Sequence, residues 1–360
     1  MNKKSMIGII LSIVMIGSLV GCSDARESVN ETGEETALET TSVATLETTS
    51  ETTETASETT SVASSVTQPS GEASIVYMTT DISSEGLMAI YNALEWTPEG
   101  DVAVKLSTGE PPSSYYLDPE LVKELVQSVD GTIVECNTAY GGYRTSTAMH
   151  MQVAEDHGFT AIAEVDILDA DGSMSLPVEG GAHLQEDLVG SHFADYDSYL
   201  VLSHFKGHEM AGYGGAIKNI SIGLGSVEGK CLIHTAGKSN KSMWGGNQDD
   251  FLEAMGDAGK AVSDSLGNGE YIVYINVMNN LSIDCDCNGH PAEPKIADIG
   301  ILASTDPVAL DQACIDLVYA AQGSESLILR IESKNGLHTL EHAEEIGLGS
   351  RTYELVNIDD

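Results

Sequence analysis

Basic residues are scarce in this 360-residue chain, which has 16 Lys and Arg against 56 Asp and Glu and a formal net charge of −40 at pH 7. A protein that binds nucleic acid needs a basic surface to face the phosphates. The shortage of positive charge therefore argues against a nucleic-acid-binding protein.

Long hydrophobic runs are also missing. The longest apolar stretch, Met6 to Val20, follows Lys3 and Lys4 and is shorter than the roughly 20 residues that span a bilayer. It ends in Leu19-Val20-Gly21-Cys22, which is similar to a bacterial lipobox, where the signal is removed and the cysteine acylated. We therefore expect residues 1–22 to be a lipoprotein signal peptide, with Cys22 as the lipid anchor. An uncleaved short anchor is the alternative.

Aromatic residues are absent between Ser23 and Ala73, where the chain is mostly Thr, Ser, Glu, Ala and Val. Such a segment has too little apolar area to offset the loss of backbone entropy. We expect residues 23–73 to be a disordered tether between the membrane and a globular domain at 74–360. This arrangement is typical of extracytoplasmic lipoproteins of Gram-positive bacteria.

The cysteines after Cys22 cannot all form pairs, because their number is odd. They are Cys136, Cys231, Cys285, Cys287 and Cys314. At least one is expected to be a free thiol or a metal ligand.

Hydrophobic periodicity in residues 74–360 predicts an α/β domain with a mostly parallel central sheet and flanking helices. The predicted strands are Ser74–Thr79, Val102–Leu106, Thr132–Cys136, Ala161–Ile167, Tyr199–Leu202, Tyr271–Val277 and Ile299–Ala303. The predicted helices are Glu85–Glu95, Pro119–Val129, Ser146–His157, Asp249–Leu266 and Pro307–Ala321. Asp118-Pro119 and Asp306-Pro307 are expected helix starts.

Polar and glycine-rich segments follow four of these strands. They begin at Asn137, Ser203, Asn279 and Ser304. Because ligands bind at the carboxyl ends of strands in parallel sheets, we expect all four segments to meet at one edge and form a site. Asp311 lies inside an apolar helix, so a buried Asp311 needs a partner, for which a lysine of the site is the candidate; simple exposure is the alternative.

The segment Ser203–Ile222, SHFKGHEMAGYGGAIKNISI, begins a local reversal of charge. Residues 206–241 contain five lysines and two acids, whereas residues 74–360 as a whole hold 13 basic and 45 acidic residues, a net charge of −32. Glycines let backbone N–H groups approach an anion, and lysines supply charge. We predict a cradle for a small anion. Its residues are Gly214, Gly215, Lys218 and Asn219, with Arg144 as a further clamp and Lys206 as the group that moves a proton.

The same glycines and lysines have a simpler interpretation, in which the glycines allow tight packing and the lysines lie on a solvated face. The segment is not a P-loop, since the order G-x-x-x-x-G-K-[ST] is absent, and no G-x-G-x-x-G follows a strand. Specificity for a nucleotide is therefore not predicted.

Cys285 and Cys287 are one residue apart, a spacing that lets two thiolates bind one soft metal such as zinc or iron, or an iron–sulfur cluster. His204 and His208 are the predicted remaining ligands, and Asp284 and Asp286 would orient them. Two alternatives remain open: a redox-active disulfide, and ordinary cysteines in a turn.

The Lys and His pair, the Gly-rich turn and Lys218-Asn219 resemble the domain-of-unknown-function family 362 of bacteria and archaea. Asp306-Pro307 followed by Asp311 is a second family-like motif. Many members carry a ferredoxin-like C-x-x-C-x-x-C-x-x-x-C-P insertion after a Gly-Lys motif. Here Gly229-Lys230 leads into a sequence without that run, so the resemblance does not imply conventional iron–sulfur clusters.

Three functions fit these features. The first is an extracytoplasmic metal-binding protein or enzyme that acts on a small anionic molecule. The second is a lipoprotein that binds such a ligand without turnover. The third is a redox protein that uses the cysteine pair or an iron–sulfur cluster.

Overall fold

The computed structural model describes residues 73–359. The predicted signal peptide, the lipidation site Cys22 and nearly all of the predicted tether lie outside this range. No helix in the described part of the chain is long and apolar enough to cross a membrane.

Twelve strands and nine α-helices make up residues 73–359. The strands are β1 (Ser74–Thr79), β2 (Val102–Lys105), β3 (Thr132–Glu135), β4 (Val165–Ile167), β5 (Ser173–Pro177), β6 (Glu186–Gly190), β7 (Ser198–His204), β8 (Lys206–His208), β9 (Gly212–Gly214), β10 (Ile272–Met278), β11 (Gly300–Ser304) and β12 (Tyr353–Asn357). The helices are α1 (Ser84–Ala93), α2 (Pro119–Ser128), α3 (Thr147–Asp156), α4 (Ala216–Ser221), α5 (Val227–His234), α6 (Gln248–Ser265), α7 (Pro307–Ala320), α8 (Glu325–Ser333) and α9 (His338–Glu345).

Eight strands form the central sheet, in the order β12-β1-β11-β10-β7-β2-β3-β4. Every neighbouring pair is parallel except the two that involve β11, which runs antiparallel to β1 and β10. The predicted α/β fold with a mostly parallel sheet and flanking helices is confirmed.

Both faces of the sheet are buried, as the apolar runs predict. On β7, Tyr199 and Val201 belong to the core cluster that includes residues of α4 and α7. Leu200 and Leu202 point to the other face and pack with residues of α1 and α2. This two-sided burial explains why the strand reads as a continuous apolar run rather than an alternation.

The carboxyl ends of β2, β3, β7 and β10 lie at one edge, because these strands are parallel. The expectation that the segment after β11 joins them was wrong. β11 is antiparallel, so Ser304 and Asp306 lie at the opposite edge, where Asp306 caps α7 and accepts a hydrogen bond from Ser74 Oγ. The predicted helix starts at Asp118-Pro119 and Asp306-Pro307 are confirmed.

Asp311 of α7 is fully buried and does not pair with a site lysine. Its carboxylate accepts hydrogen bonds from the backbone N–H groups of Ala216 (2.7 Å) and Ile217 (3.0 Å) and from Asn276 Nδ2 (2.8 Å). Gly215 is needed here, because a Cβ at that position would collide with the Asp311 carboxylate. Asp311 thus fixes the start of α4, the helix that carries Lys218.

Asp311→Ala is expected to lower the free energy of unfolding by about 3 kcal/mol, because three buried donors lose their acceptor. Urea denaturation of the variant measures this loss. Glu325→Ala in α8 is the control, since Glu325 is exposed and should change stability by less than about 0.5 kcal/mol. Equal losses in the two variants would show that Asp311 does not stabilise the start of α4.

Candidate functional site

A cavity of about 630 Å³ opens where β2, β3, β7 and β10 end. All ten candidate anion, catalytic and metal residues predicted from the sequence within residues 73–359 line it. They are Arg144, His204, Lys206, His208, Gly214, Gly215, Lys218, Asn219, Cys285 and Cys287. We refer to it below as the carboxyl-end cavity.

Two of the cavity's cations are already paired with acids. Arg144 donates from Nε to Glu110 (3.1 Å) and from Nη1 to Glu135 (3.3 Å). Lys206 Nζ lies 2.7 Å from Asp286 Oδ2. Because two carboxylates already neutralise Arg144, its predicted role as a free clamp for a ligand has no support in its contacts.

Three further lysines have no carboxylate partner within 4.0 Å in the described range. Lys105 Nζ donates to the Leu106 carbonyl (2.8 Å) and to Asn219 Oδ1 (2.9 Å). Lys230 Nζ donates to the Gly225 carbonyl, and Lys218 Nζ makes no hydrogen bond to residues 73–359. We call Lys105, Lys218 and Lys230 the unpaired lysines. Their side chains line the cavity, and none of them forms an ion pair with a carboxylate of residues 73–359.

Burial lowers the pKa of Lys218 and of Lys105. Desolvation, and next the charge of Lys206, lower the pKa of Lys218 to about 7. Desolvation lowers the pKa of Lys105 to about 8, with Glu135 opposing the change. Both groups would release protons far more readily than a lysine in water, whose pKa is about 10.4.

Asn219 connects several elements through hydrogen bonds, so its side chain is not free to bind an anion. Its Oδ1 holds Lys105, and its Nδ2 donates to the Leu202 carbonyl (3.2 Å) and to Ser203 Oγ (3.1 Å). Gly214 lies under the side chain of Lys218, since a Cβ there would be 3.1 Å from Lys218 Cδ. The contacts of Gly215 and Gly214 therefore support the packing interpretation of these glycines.

Glu135, at the end of β3, makes several buried polar contacts in the cavity wall. It accepts from Thr108 N (2.6 Å) and Thr108 Oγ1 (2.6 Å), and lies 3.3 Å from His150 Nε2. Burial would raise its pKa, but the charges of Arg144 and then His150 outweigh burial and hold that pKa well below the usual range. Glu135 is thus an ionised structural acid.

Asp286 links two predicted site residues. Its Oδ1 lies 2.8 Å from His204 Nδ1, and its Oδ2 binds Lys206. His204 Nε2 lies 2.6 Å from the Asn279 carbonyl. Both ring nitrogens therefore face acceptors, and no lone pair of His204 is free for a metal. Burial would raise the pKa of Asp286, but Lys206 and then His204 hold it well below normal.

Cys285 and Cys287 are joined in a disulfide on the cavity wall. Possible ligand atoms of His208, Cys285 and Cys287 lie within 4.8 Å of one another, so three of the four predicted metal ligands come together and His204 does not. His208 Nδ1 accepts from Ala211 N (2.9 Å), which assigns the proton of the neutral ring to Nε2. The group fits a soft metal only after the disulfide is reduced, because thiolates are the ligands, and after His208 Nδ1 gives up its hydrogen bond from Ala211 N.

His234 supplies an unexpected neutral base. Its Nδ1 donates to the Lys230 carbonyl (2.6 Å), which leaves the Nε2 lone pair free, and its ring stacks on Phe251. Desolvation lowers the pKa of His234 to about 4. Since His234 lines the cavity, its Nε2 is available to accept a proton from a ligand.

Lys105 and Trp244 were missed by the sequence analysis. Lys105 interrupts the apolar run Val102–Leu106, and an ionisable residue inside a buried strand was the available signal. Trp244 lines the cavity although its side chain is 70% exposed. No pattern in the sequence predicted that Trp244 would be exposed.

The sheet and the cavity define an α/β protein with a candidate site at the carboxyl ends of its strands. The sequence model described as domain of unknown function, DUF362, matches residues 102–316, and the chain belongs to that family. None of the curated proteins compared with the chain matches it.

Two solved structures show a weak likeness. One is the lactate racemase apoprotein from Thermoanaerobacterium thermosaccharolyticum, with 12% identity and a TM-score of 0.40 over 67% of this chain and 56% of that one. The other is a protein from Thermotoga maritima, with 12% identity and a TM-score of 0.37 over 73% of this chain and 58% of that one. The chain thus spans less than two thirds of either protein, and neither likeness carries an argument about function.

Reduction is expected to create a zinc site at His208, Cys285 and Cys287. Dialysis against zinc followed by elemental analysis should give about one zinc per chain for the reduced protein and none at this site for the oxidised protein, because a disulfide has no thiolate to offer. His208→Ala should weaken zinc binding to the reduced protein at least about tenfold.

His290→Ala is the matched control, since His290 lines the same cavity but is exposed and outside the three-residue group. His204→Ala tests the four-ligand set predicted from the sequence, which requires a loss of zinc from that variant. Equal zinc content in oxidised and reduced protein would contradict the site.

Proposed function

We propose that this protein binds a small anionic molecule in the carboxyl-end cavity. The observation that carries the proposal is the convergence of the three unpaired lysines on one cavity without a carboxylate within 4.0 Å. A buried charge without a partner is costly, and its cost is relieved by an opposite charge. An anionic ligand supplies that charge.

The cavity wall also carries acids, so the case for an anionic ligand depends on which of these acids are already in ion pairs. Five acids also line the cavity: Glu110, Glu135, Glu209, Asp284 and Asp286. Four of them are bound to Arg144, Lys206 or Arg330, and Glu209 is exposed. The acids are therefore engaged elsewhere, and the unpaired lysines are what a ligand meets.

The cavity's size favours a molecule over a bare ion. A volume of about 630 Å³ is within the range of about 300–1,000 Å³ that is usual for small-molecule sites. A carboxylate or phosphate group next to the unpaired lysines would leave room for the rest of the ligand.

A second candidate function is an enzyme that moves a proton on this ligand. It is favoured by Lys218, whose pKa falls to about 7, since groups tuned near neutral pH suit general acid–base catalysis. His234 adds a neutral acceptor, because its pKa is about 4 and its Nε2 lone pair is free. Lys206, the predicted proton carrier, is held by Asp286, so Lys218 and His234 are better placed for this role. Turnover of a bound anion would favour the enzyme, and tight binding without turnover would favour the binding protein.

Sulfate is a suitable probe, because it stays dianionic across neutral pH. The Trp96→Phe protein leaves Trp244 as the single tryptophan, so its fluorescence reports on the cavity. Sulfate binding should be strongest below pH 7 and weaken as the pH rises through about 7, because Lys218 then loses its proton. Lys218→Met should weaken binding at low pH by about tenfold or more.

Lys123→Met is the control for that substitution. Lys123 is partly exposed and pairs with Glu120 on α2, and it is not among the residues that line the cavity. An equal loss in the Lys123 and Lys218 variants, or binding that does not change across pH 7, would contradict a localised anion site.

We further propose that the protein is exported and held at the membrane by a lipid on Cys22. The support is the Leu19-Val20-Gly21-Cys22 sequence after a short apolar run, together with segment 23–73, which has too few apolar residues to form a hydrophobic core. A tether of that length would let the cavity meet solutes outside the cell.

Cys22→Ala is expected to remove the lipid and release the protein from the membrane fraction of the producing bacterium. Fractionation and the intact mass of the mature chain measure this. Cys231→Ala is the matched control and should remain membrane-bound, since Cys231 lies in the globular domain. A Cys22→Ala protein that is still processed and equally membrane-bound would contradict the lipid anchor.

A further inference from the structure

We infer that the Cys285–Cys287 disulfide is a redox-active group that exchanges with a small thiol carrying a carboxylate or phosphate. The inference rests on the proposed function, because the anion site would select the charge of the thiol. It adds a chemical step that anion binding alone does not include.

The disulfide has little to contribute to the stability of the fold. It joins residues only two positions apart, and a disulfide stabilises a protein more when it closes a longer loop. It also lies on the wall of the cavity rather than in the core between the sheet and the helices. Its position therefore favours chemistry over structure.

The two sulfurs differ in access. Cys285 is only 4% exposed, whereas Cys287 is partly exposed. An incoming thiolate therefore reaches the Cys287 sulfur, and Cys285 becomes the leaving group. The difference in exposure thus assigns the attacked sulfur to Cys287 and the leaving sulfur to Cys285.

The neighbourhood of Cys285 stabilises a leaving thiolate. The backbone N–H of Cys287 already donates to Cys285 Sγ at 3.2 Å. A ring nitrogen of His208 lies within 4.8 Å of both sulfurs, and the neutral ring carries a proton on Nε2. A hydrogen-bonded thiolate leaves more easily, because exchange is faster when the leaving thiol is more acidic.

The remaining three cysteines in the described range do not compete. Cys136, Cys231 and Cys314 are free and buried. Burial raises the pKa of Cys136 to about 12, and it raises the pKa of Cys314 well above its ordinary value. Since the thiolate is the reactive form, these cysteines should be inert in the folded protein.

The exchange balances as two steps. A small thiolate attacks Cys287 Sγ, the Cys285–Cys287 bond breaks, and a mixed disulfide forms while Cys285 leaves as a thiolate that takes up a proton. A second molecule of the thiol then attacks the sulfur of the first, which releases a low-mass disulfide and leaves Cys287 as a thiol. The protein gains two electrons and two protons, and two small thiols are oxidised to one disulfide. The reverse sequence reoxidises the protein.

The test compares three thiols of different charge on the oxidised full chain: thioglycolate, which is anionic, 2-mercaptoethanol, which is neutral, and cysteamine, which is cationic. Each rate is divided by the rate of the same thiol with the neutral 2-hydroxyethyl disulfide, which removes intrinsic differences in reactivity. Alkylation with iodoacetamide and peptide mass mapping count the thiols formed at Cys285 and Cys287. The reaction is run at about pH 6.5, below the pKa of Lys218.

Thioglycolate is expected to react at least about tenfold faster than cysteamine after this correction, and the ratio should fall toward one in high salt. Lys218→Gln should reduce the ratio, and Lys123→Gln should leave it unchanged. Equal corrected rates for all three thiols, or a disulfide that none of them reduces in the folded protein, would overturn the inference.

Sulfate binding separates this failure from a failure of the proposed function. A protein that binds sulfate but has an inert disulfide overturns the redox inference alone. A protein that neither binds sulfate nor prefers thioglycolate overturns the anion site and, with it, the charge selectivity inferred for the exchange.

Discussion

The lack of carboxylate partners for Lys105, Lys218 and Lys230 is the constraint on which the site depends. Burying an ammonium group away from water is unfavourable unless an opposite charge or good hydrogen bonds compensate. Lys105 and Lys230 are held by backbone carbonyls and by Asn219, whereas Lys218 has no bonded partner among residues 73–359. The fold thus keeps positive charge in a cavity of a strongly acidic protein, and the anion that we propose as the ligand would balance that charge.

The parallel sheet makes this concentration of charge possible. β2, β3 and β7 end at the same edge, so Lys105, Glu135 and His204 are brought together although they are far apart in the chain. Asp311 then fixes the start of α4 through two backbone N–H groups, and α4 carries Lys218 to the same place. The same buried polar contacts hold the framework and position the site residues. Changes in these contacts should therefore affect both the stability of the protein and ligand binding.

Sequence patterns predicted most of the framework, because buried strands and amphipathic helices leave a strong periodicity. All seven predicted strands have counterparts in the central sheet, but the hairpins β5–β6 and β8–β9 and the edge strand β12 were not predicted, since short or exposed strands have little apolar pattern. The direction of β11 had no local signal, and this is why Asp306 was placed at the wrong edge. The site residues were found by their unusual composition, whereas their pairing, such as that of His204 with Asp286, depends on contacts between distant segments.

The disulfide and the unpaired lysines lie in one cavity, and Asp286, which stands between the two cysteines in the chain, binds Lys206 of the same cavity. This arrangement places a redox-sensitive bond in the same cavity as charges that attract anions. The redox inference rests on the anion site, so anion binding is the central claim to test. The most direct measurement is a crystal structure with selenate, an analogue of sulfate that anomalous diffraction locates. The account predicts one selenium peak inside the cavity, within hydrogen-bonding reach of Lys218 Nζ. Selenate found only on exposed lysines such as Lys238 and Lys241, with none in the cavity, would contradict it.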